Sequence, residues 1–495
     1  MLADLNKKIA VGYLWNLLAK WLNRSIGLIS TLCLVRILEP DDFGIVALAS
    51  IVLAFFVMIS DAGTNKYLIK AKVCTDEMLN SAWSLNIVLK VACSFIVAVF
   101  AHQLAIYMNE PALSDVLLMS CLIPVISSLK NVGLVIYERE LNYKPLTQLS
   151  VTVKIAIVPI TLFFAFYLQN YWALVIGLIV SEVMTVAGSY RMHPYRPRWS
   201  MSLWSEQWSF SKWHLLSMTT GYVRSRIDAV LLGRYLTSSD VGIYRVSQEF
   251  AWLPFTELIA PATNSMYSGL TQVRDDKTEL HNSILRYLAI SYLLVVPSVF
   301  GIYALSELFT TVVLGDKWVE ASPVIGLLAI LMLSMPLNIS LQSVLTNLSK
   351  VKYLIVLDTI MIAAIVGIIT WFSGQSSFDI LAYTEYRVSL VTVFILMLCV
   401  SYKLLINLSI LRVVFVILLP MIPAIVMVNT LTLIRDHLQY PDVINLMVLA
   451  SVGALVFVPT MLVIIMVAKQ WIEEYAFIYS VLRKIKPSHR MSDSV

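Results

Sequence analysis

The sequence predicts an all-α polytopic membrane protein with about 14 transmembrane helices, and three observations carry that prediction. Of its 495 residues, 59% are hydrophobic and 14% charged, with a mean hydropathy of +0.80, more apolar surface than a soluble core encloses. Runs of about 20 apolar residues recur between polar turns along the whole chain. Lys and Arg then fall on alternate turns, as retention of positive charge on the cytoplasmic side requires.

The spans lie near residues 12–37, 43–65, 79–101, 113–137, 147–168, 171–190, 208–236, 240–269, 282–305, 321–347, 353–373, 379–402, 411–433 and 443–468. With the N-terminus inside, 22 of the 36 Lys and Arg residues occupy turns of that side, from Lys7 and Lys8 through Lys66, Arg139, Arg191, Lys277, Lys350 and Lys403 to Arg490. The other side holds Lys317 and Arg435, with Arg36 and Arg234 at helix ends. A missed or invented span would invert everything after it, so the alternation puts both termini in the cytoplasm. Lys7 and Lys8 precede a long apolar run without a small-residue cleavage site, which reads as a first spanning helix rather than a removed signal. The outer turns, Glu39 to Asp42 and Glu110 to Asp115 among them, are short and acidic, and none is long enough to fold as a soluble domain.

Comparison at an offset of 198 residues exposes an internal duplication. Trp15, Leu17, Leu18, Leu34, Arg36, Leu38, Asp42, Gly44 and Ile45 match Trp213, Leu215, Leu216, Leu232, Arg234, Leu236, Asp240, Gly242 and Ile243. An offset of six spans makes the repeats parallel, related by an axis along the membrane normal. The expected organisation is two parallel six-helix lobes, 1–200 (spans 1–6) and 201–405 (spans 7–12), then two extra C-terminal helices in 406–470 and a cytoplasmic tail, 471–495. That tail begins as an interfacial helix and ends in a basic segment expected to be partly disordered.

Ten basic residues remain at membrane depth: Lys20, Arg24, Lys90, Lys130, Lys154, Arg224, Arg226, Arg245, Arg286 and Arg387. Charge there is costly unless solvated or paired, so each is a candidate for function. Span 1 carries Asn16, Lys20, Asn23, Arg24, Gly27 and Thr31 at three- and four-residue steps, one polar stripe. Span 7 repeats this with Ser217, Thr220, Gly221, Arg224 and Asp228, while Arg226 lies about 200° around from Arg224. Lys20, Arg24, Arg224 and Arg226 are the candidate anion contacts of a central cavity. Asp228, Glu249, Arg245 and Asp61 are the candidate ion-coupling groups or charge partners. The competing explanation is that these charges form buried pairs that only pin helices. Arg36 and Arg234, each followed by Asp42 or Asp240 at the start of the next helix, read as helix-end structure, with Asp as N-cap.

The five cysteines are unpaired by any CxxC motif and sit mostly in apolar segments, as small core residues do. Six scattered histidines, with no P-loop or GxGxxG, leave no cofactor, ATPase or metalloenzyme chemistry to assign. Most of the net charge of +5 sets topology, so it does not point to nucleic acid.

Several segments resemble the polysaccharide-transport family, the Wzx-type lipid-linked oligosaccharide flippases of the multidrug/oligosaccharidyl-lipid/polysaccharide exporter (MOP) superfamily, closest to the colanic-acid type. They are VRILEPDDFGIVALA (35–49), YERELNYKPL (137–146), RIDAVLLGRYLTSSDVGIYRVSQEF (226–250), QVRDDKTEL (272–280) and LGDKWVEASPVIGLLAI (314–330). The resemblance implies a two-lobed, V-shaped, MOP-like fold with alternating access in the bacterial inner membrane. It implies a substrate of undecaprenyl-diphosphate-linked oligosaccharide for O-antigen or exopolysaccharide synthesis, with membrane lipid and polysaccharide polymerase machinery as partners and the last two helices as a groove for the polyprenyl tail. A cation-coupled small-molecule exporter of the same superfamily is the alternative; it would favour a carboxylate-rich cavity, whereas the deep charge here is basic. A membrane polymerase or ligase would need a large outer loop, which this chain lacks.

Overall fold

A computed structural model describes residues 2–60, 64–70, 74–205, 230–259, 270, 273, 276–348, 350–374 and 378–485. The described residues are helical, with no strand among them, and ten of their helices are long and apolar enough to cross a membrane. The chain divides into two compact units, Met1–Arg245 and Val246–Val495.

The first unit contains α1 (Leu2–Ile37), α2 (Pro40–Ser60), α3 (Thr64–Lys70), α4 (Asp76–Tyr107), α5 (Ala112–Ser120), α6 (Leu122–Ser128), α7 (Leu134–Arg139), α8 (Lys144–Leu168) and α9 (Trp172–Met192). It ends within α10 (Ser238–Ala251). The span expected at 113–137 is broken into α5, α6 and α7. Pro124 supplies no N–H to the carbonyl four residues before it, so the ladder is interrupted at the α5–α6 junction. The span expected at 240–269 likewise leaves α-geometry after Ala251. Pro254 has no N–H to return to Phe250, and a π-turn follows at Phe255–Ile259.

The two copies of the repeated motif meet inside this unit. Both turns are built as a capping box, the Asp accepting from the backbone N–H three residues earlier: Glu39 to Asp42 at 3.0 Å and Thr237 to Asp240 at 3.1 Å. Thr237 completes its box by accepting from the Asp240 N–H at 3.2 Å. Asp42 and Asp240 therefore act from the third helical position rather than as the N-caps the sequence suggested. Asp41 and Ser238 are hydrogen-bonded across the motif copies. A Cβ on Gly44 would overlap the Ser238 carbonyl, and one on Gly242 would overlap the Pro40 carbonyl. Pro40 and Ser238 are themselves repeat-equivalent, so the contact is reciprocal, as across a two-fold axis, and only glycine lets the backbones approach this closely.

The second unit contains α11 (Lys277–Phe309), α12 (Ala321–Leu331), α13 (Met335–Asn347), α14 (Val351–Phe372), α15 (Ile380–Ile406), α16 (Ile410–Leu418), α17 (Met421–Arg435), α18 (Asp442–Ala468) and α19 (Glu473–Ile485). The span formed by α12 and α13 is the most enclosed, 72% of its apolar window being buried against 39% or less in the others. It is interrupted by a 3₁₀ turn at Met332–Ser334 ahead of Pro336. Two fully buried tyrosines brace this break: Tyr292 donates to the Leu333 carbonyl at 2.6 Å and Tyr402 to the Leu337 carbonyl at 2.9 Å. Inside a membrane such carbonyls need an internal donor.

Within the first unit, Tyr195 reaches Asn80 (2.8 Å) and Tyr137 reaches the Met192 carbonyl (2.9 Å) at one end, and Arg234 lies over Tyr107 (5.2 Å) at the other. Within the second unit, Lys350 reaches the Leu405 carbonyl (2.9 Å) and Arg412 pairs with Glu474 (2.6 Å) at one end, and Arg435 pairs with Glu307 (2.7 Å) at the other. The expected interfacial helix is α19. It is docked by buried Tyr475 and by the Arg412–Glu474 pair, and Arg286 of α11 stacks on its Phe477 at 4.9 Å.

Candidate functional site

The polar stripe of α1 is matched by polar residues of α8. Thr147 donates to the Trp15 carbonyl (3.2 Å), Asn23 donates to Ser150 (3.1 Å), and Lys144 lies over the Trp15 ring (5.9 Å). One turn further, Lys154 lies against Gly27, its Cε 3.6 Å and Nζ 3.7 Å from where a Gly27 Cβ would stand. Leu34 then shares a buried apolar cluster with Ala165. Residue numbers rise together along both helices, so α1 and α8 run in the same direction, as a first and a fifth span should.

On this seam Lys20 is exposed and Arg24 half-buried. They stand one helical turn apart, where like charges oppose each other by about 0.2–0.5 kcal/mol on a solvated helix. The repulsion grows at lower dielectric, and an anion held between them reverses its sign. Arg24 lies 13 residues before the end of α1, about 20 Å along the axis, too deep for its side chain to reach that end of the span.

Of the other candidates, Arg245 (exposed) and Glu249 (half-buried) stand one turn apart on α10. Arg224, Arg226, Asp228 and Asp61 lie outside the described residues, so the proposed approach of spans 1 and 7 does too. Sequence reading counted Lys90 and Lys154 as deep cations without giving either a site role. Lys90 is only 9% exposed and donates to Ser127 at 2.8 Å; Glu182 of α9 lies within the electrostatic reach of Lys90 and Lys130. This is the helix-pinning pattern. Arg286 differs: its ion pair, with Glu279 at 2.9 Å, lies within α11 and is partly exposed. A spacing signal existed for Lys154, because Thr147, Ser150 and Lys154 recur at helical steps.

In the second unit α11, α17 and α18 line an open cavity of about 610 Å³, with Leu294, Pro297, Met427, Leu431, Gly453 and Phe457 among its walls. Ser298 is its one polar lining residue. A cavity this apolar suits a hydrocarbon.

Among solved structures, the fold matches the lipid II flippase MurJ in an inward closed conformation (TM-score 0.70, 14% identity), covering 90% of this chain and 97% of that one. It also matches an inward-facing multidrug resistance MATE transporter of the MOP superfamily (TM-score 0.57, 11% identity), covering 78% and 94% of the two chains. At these identities the likeness is one of fold. In sequence the chain is 27% identical over 321 residues to the succinoglycan biosynthesis transport protein ExoT of Rhizobium meliloti, a match spanning 64% of each chain. It is 22% identical over 331 residues to the lipopolysaccharide biosynthesis protein WzxC of Escherichia coli, spanning 66% of this chain and 67% of that one. Residues 33–323, which include both copies of the capping-box motif and the α8 side of the polar seam, match the model of a single family; this multi-pass membrane protein belongs to the polysaccharide biosynthesis protein family.

Proposed function

We propose that the protein is a flippase that carries undecaprenyl-diphosphate-linked oligosaccharide repeat units from the cytoplasmic to the periplasmic leaflet of a bacterial inner membrane, by alternating access, for surface polysaccharide synthesis. It is a transporter and not an enzyme, with both termini cytoplasmic. The observation that carries the reading is the seam of α1 and α8, where Arg24 stands deep in an apolar helix next to Asn23, whose amide donates to Ser150 of α8. A diphosphate is the part of such a substrate that hydrocarbon rejects most strongly, and a guanidinium fork fits its oxygens bidentately. Arg224 and Arg226 complete the contact from span 7, with Lys20 at the approach and Asp228, Asp61, Arg245 and Glu249 as charge partners or coupling groups.

The apolar cavity of α11, α17 and α18 takes part of the polyprenyl tail. The relatives' names support this reading: a succinoglycan transport protein, a lipopolysaccharide biosynthesis protein and, in fold, a lipid II flippase. A cation-coupled multidrug exporter fits less well, because cationic substrates would find basic residues on this seam.

The test is complementation in a transporter-null cell scored by surface polysaccharide. The Arg24→Ala/Arg224→Ala double variant should lose polymer at normal protein level; full activity would remove the diphosphate role from these residues.

A further inference from the structure

We infer that Lys154 is a second phosphate-binding cation, donating to the substrate diphosphate beside Arg24; the inference rests on the flippase reading above. Lys154 lies ten residues from the start of α8 and fourteen from its end, about 15 Å and 21 Å along the axis. A lysine side chain cannot reach either interface from there. Lys90 shows what a structural role looks like for a deep cation: it has Ser127 as acceptor and Glu182 within electrostatic reach. Lys154 is half-buried and, among the described residues, has neither a hydrogen-bond acceptor nor a carboxylate. An ammonium held at this depth with no carboxylate beside it among the described residues pins none of the described helices by an ion pair; it raises the energy of the empty state and lowers that of an anion-bound one.

Its placement fits that task. The α1 stripe carries glycine where the Lys154 stem crosses it, so Nζ lies along the stripe that bears Arg24 one turn away. A methyl at position 27 would stand in ordinary van der Waals contact with this stem, and only a longer side chain would compete for the same space. The Asn23–Ser150 hydrogen bond fixes the two helices one turn below. A diphosphate has two anionic phosphates. One suits the planar fork of Arg24, the other the compact ammonium of Lys154 on its flexible stem.

The experiment measures binding of undecaprenyl diphosphate, inorganic pyrophosphate and uncharged polyprenol to the purified full-length chain in lipid nanodiscs. The variants are Lys154→Met, which keeps the stem and removes the charge, and Lys154→Arg. Lys154→Met should weaken undecaprenyl diphosphate binding about ten-fold or more, with an unfolding midpoint equal to or above wild type, while Lys154→Arg restores most of the affinity. Unchanged affinity in Lys154→Met overturns the role of Lys154 and leaves the flippase reading standing. A wild-type chain that binds undecaprenyl diphosphate no better than polyprenol, or no better than pyrophosphate, overturns the reading itself. If Lys154→Met does not fold, amine-reactive labelling of wild-type Lys154, mapped by mass spectrometry, decides instead: protection by undecaprenyl diphosphate supports the role and its absence overturns it.

Discussion

Replacing Gly44 by Ala adds a methyl group where the Ser238 carbonyl already stands and brings it to 3.0 Å from the Gly242 nitrogen. Both obstacles are backbone, so no rotamer change relieves the overlap and the segments must move apart. Overpacking of this kind costs about 1–3 kcal/mol, and the better helix propensity of Ala returns at most about 1 kcal/mol. The expected net loss is about 1–2 kcal/mol, a fall of a few degrees in unfolding midpoint. Gly242→Ala should behave alike, because it meets the repeat-equivalent Pro40 carbonyl. The double variant should cost less than the sum of the singles by about 1 kcal/mol, since one separation of the backbones accommodates both methyls. Gly367→Ala is the control, with nothing within 4 Å of its added Cβ; it should be neutral or slightly stabilising. Thermal unfolding of the purified chain measures all four variants. Gly44→Ala behaving like Gly367→Ala, or a strictly additive double variant, would refute the reciprocal contact.

Other outcomes follow from contacts elsewhere. Arg412→Ala leaves the buried Glu474 carboxylate without its 2.6 Å partner, and should cost about 1–3 kcal/mol and expose α19 to protease; Arg412→Lys should recover part of this. Burial holds the His193 imidazole below its ordinary pKa, and its Nδ1 accepts from the Tyr195 N–H at 3.2 Å. With the folded pKa depressed, this contribution to stability is complete above the ordinary value of 6.5 and is lost as pH falls through the folded one. Hydrogen exchange at the Tyr195 amide should therefore accelerate, beyond its intrinsic pH dependence, on acidification below pH 6.5, and His193→Gln should remove that excess. Gly453→Leu should fill the apolar cavity beside Met427 and Leu431, and should reduce transport of undecaprenyl-linked substrate more than that of a short-chain prenyl analogue.

What the sequence revealed follows the range of the forces involved. Hydropathy located the spans because each must satisfy its own backbone in hydrocarbon, a local requirement. The motif R-x-L-x-x-x-D-x-G-I marked two equivalent turns because a capping box and a close helix approach are written within ten residues. What the motif does not contain is its partner, so the packing of Gly44 and Gly242 against each other's turns was legible only as a coincidence of spacing. The breaks at Cys121, Pro254 and Pro336 had local causes, but hydrophobicity averaged across them. Lys90 and Lys154 look alike in sequence, both lone lysines in apolar runs. Among the described residues, the acceptor Ser127 and the electrostatic reach of Glu182 at one, and Gly27 at the other, separate a helix-pinning cation from one with no carboxylate beside it.

The most direct test of the central claim, that deep cations carry a diphosphate across the membrane, is transport in sealed proteoliposomes. A polyprenyl-diphosphate-linked oligosaccharide is compared with the same oligosaccharide on an uncharged polyprenol, with and without a proton or sodium gradient. The account predicts transfer of the diphosphate-linked substrate between leaflets by the wild-type chain, loss of that transfer in Arg24→Ala/Arg224→Ala, and little transfer of the uncharged analogue. Equal transfer of both substrates, or full transfer by the double variant, would contradict it.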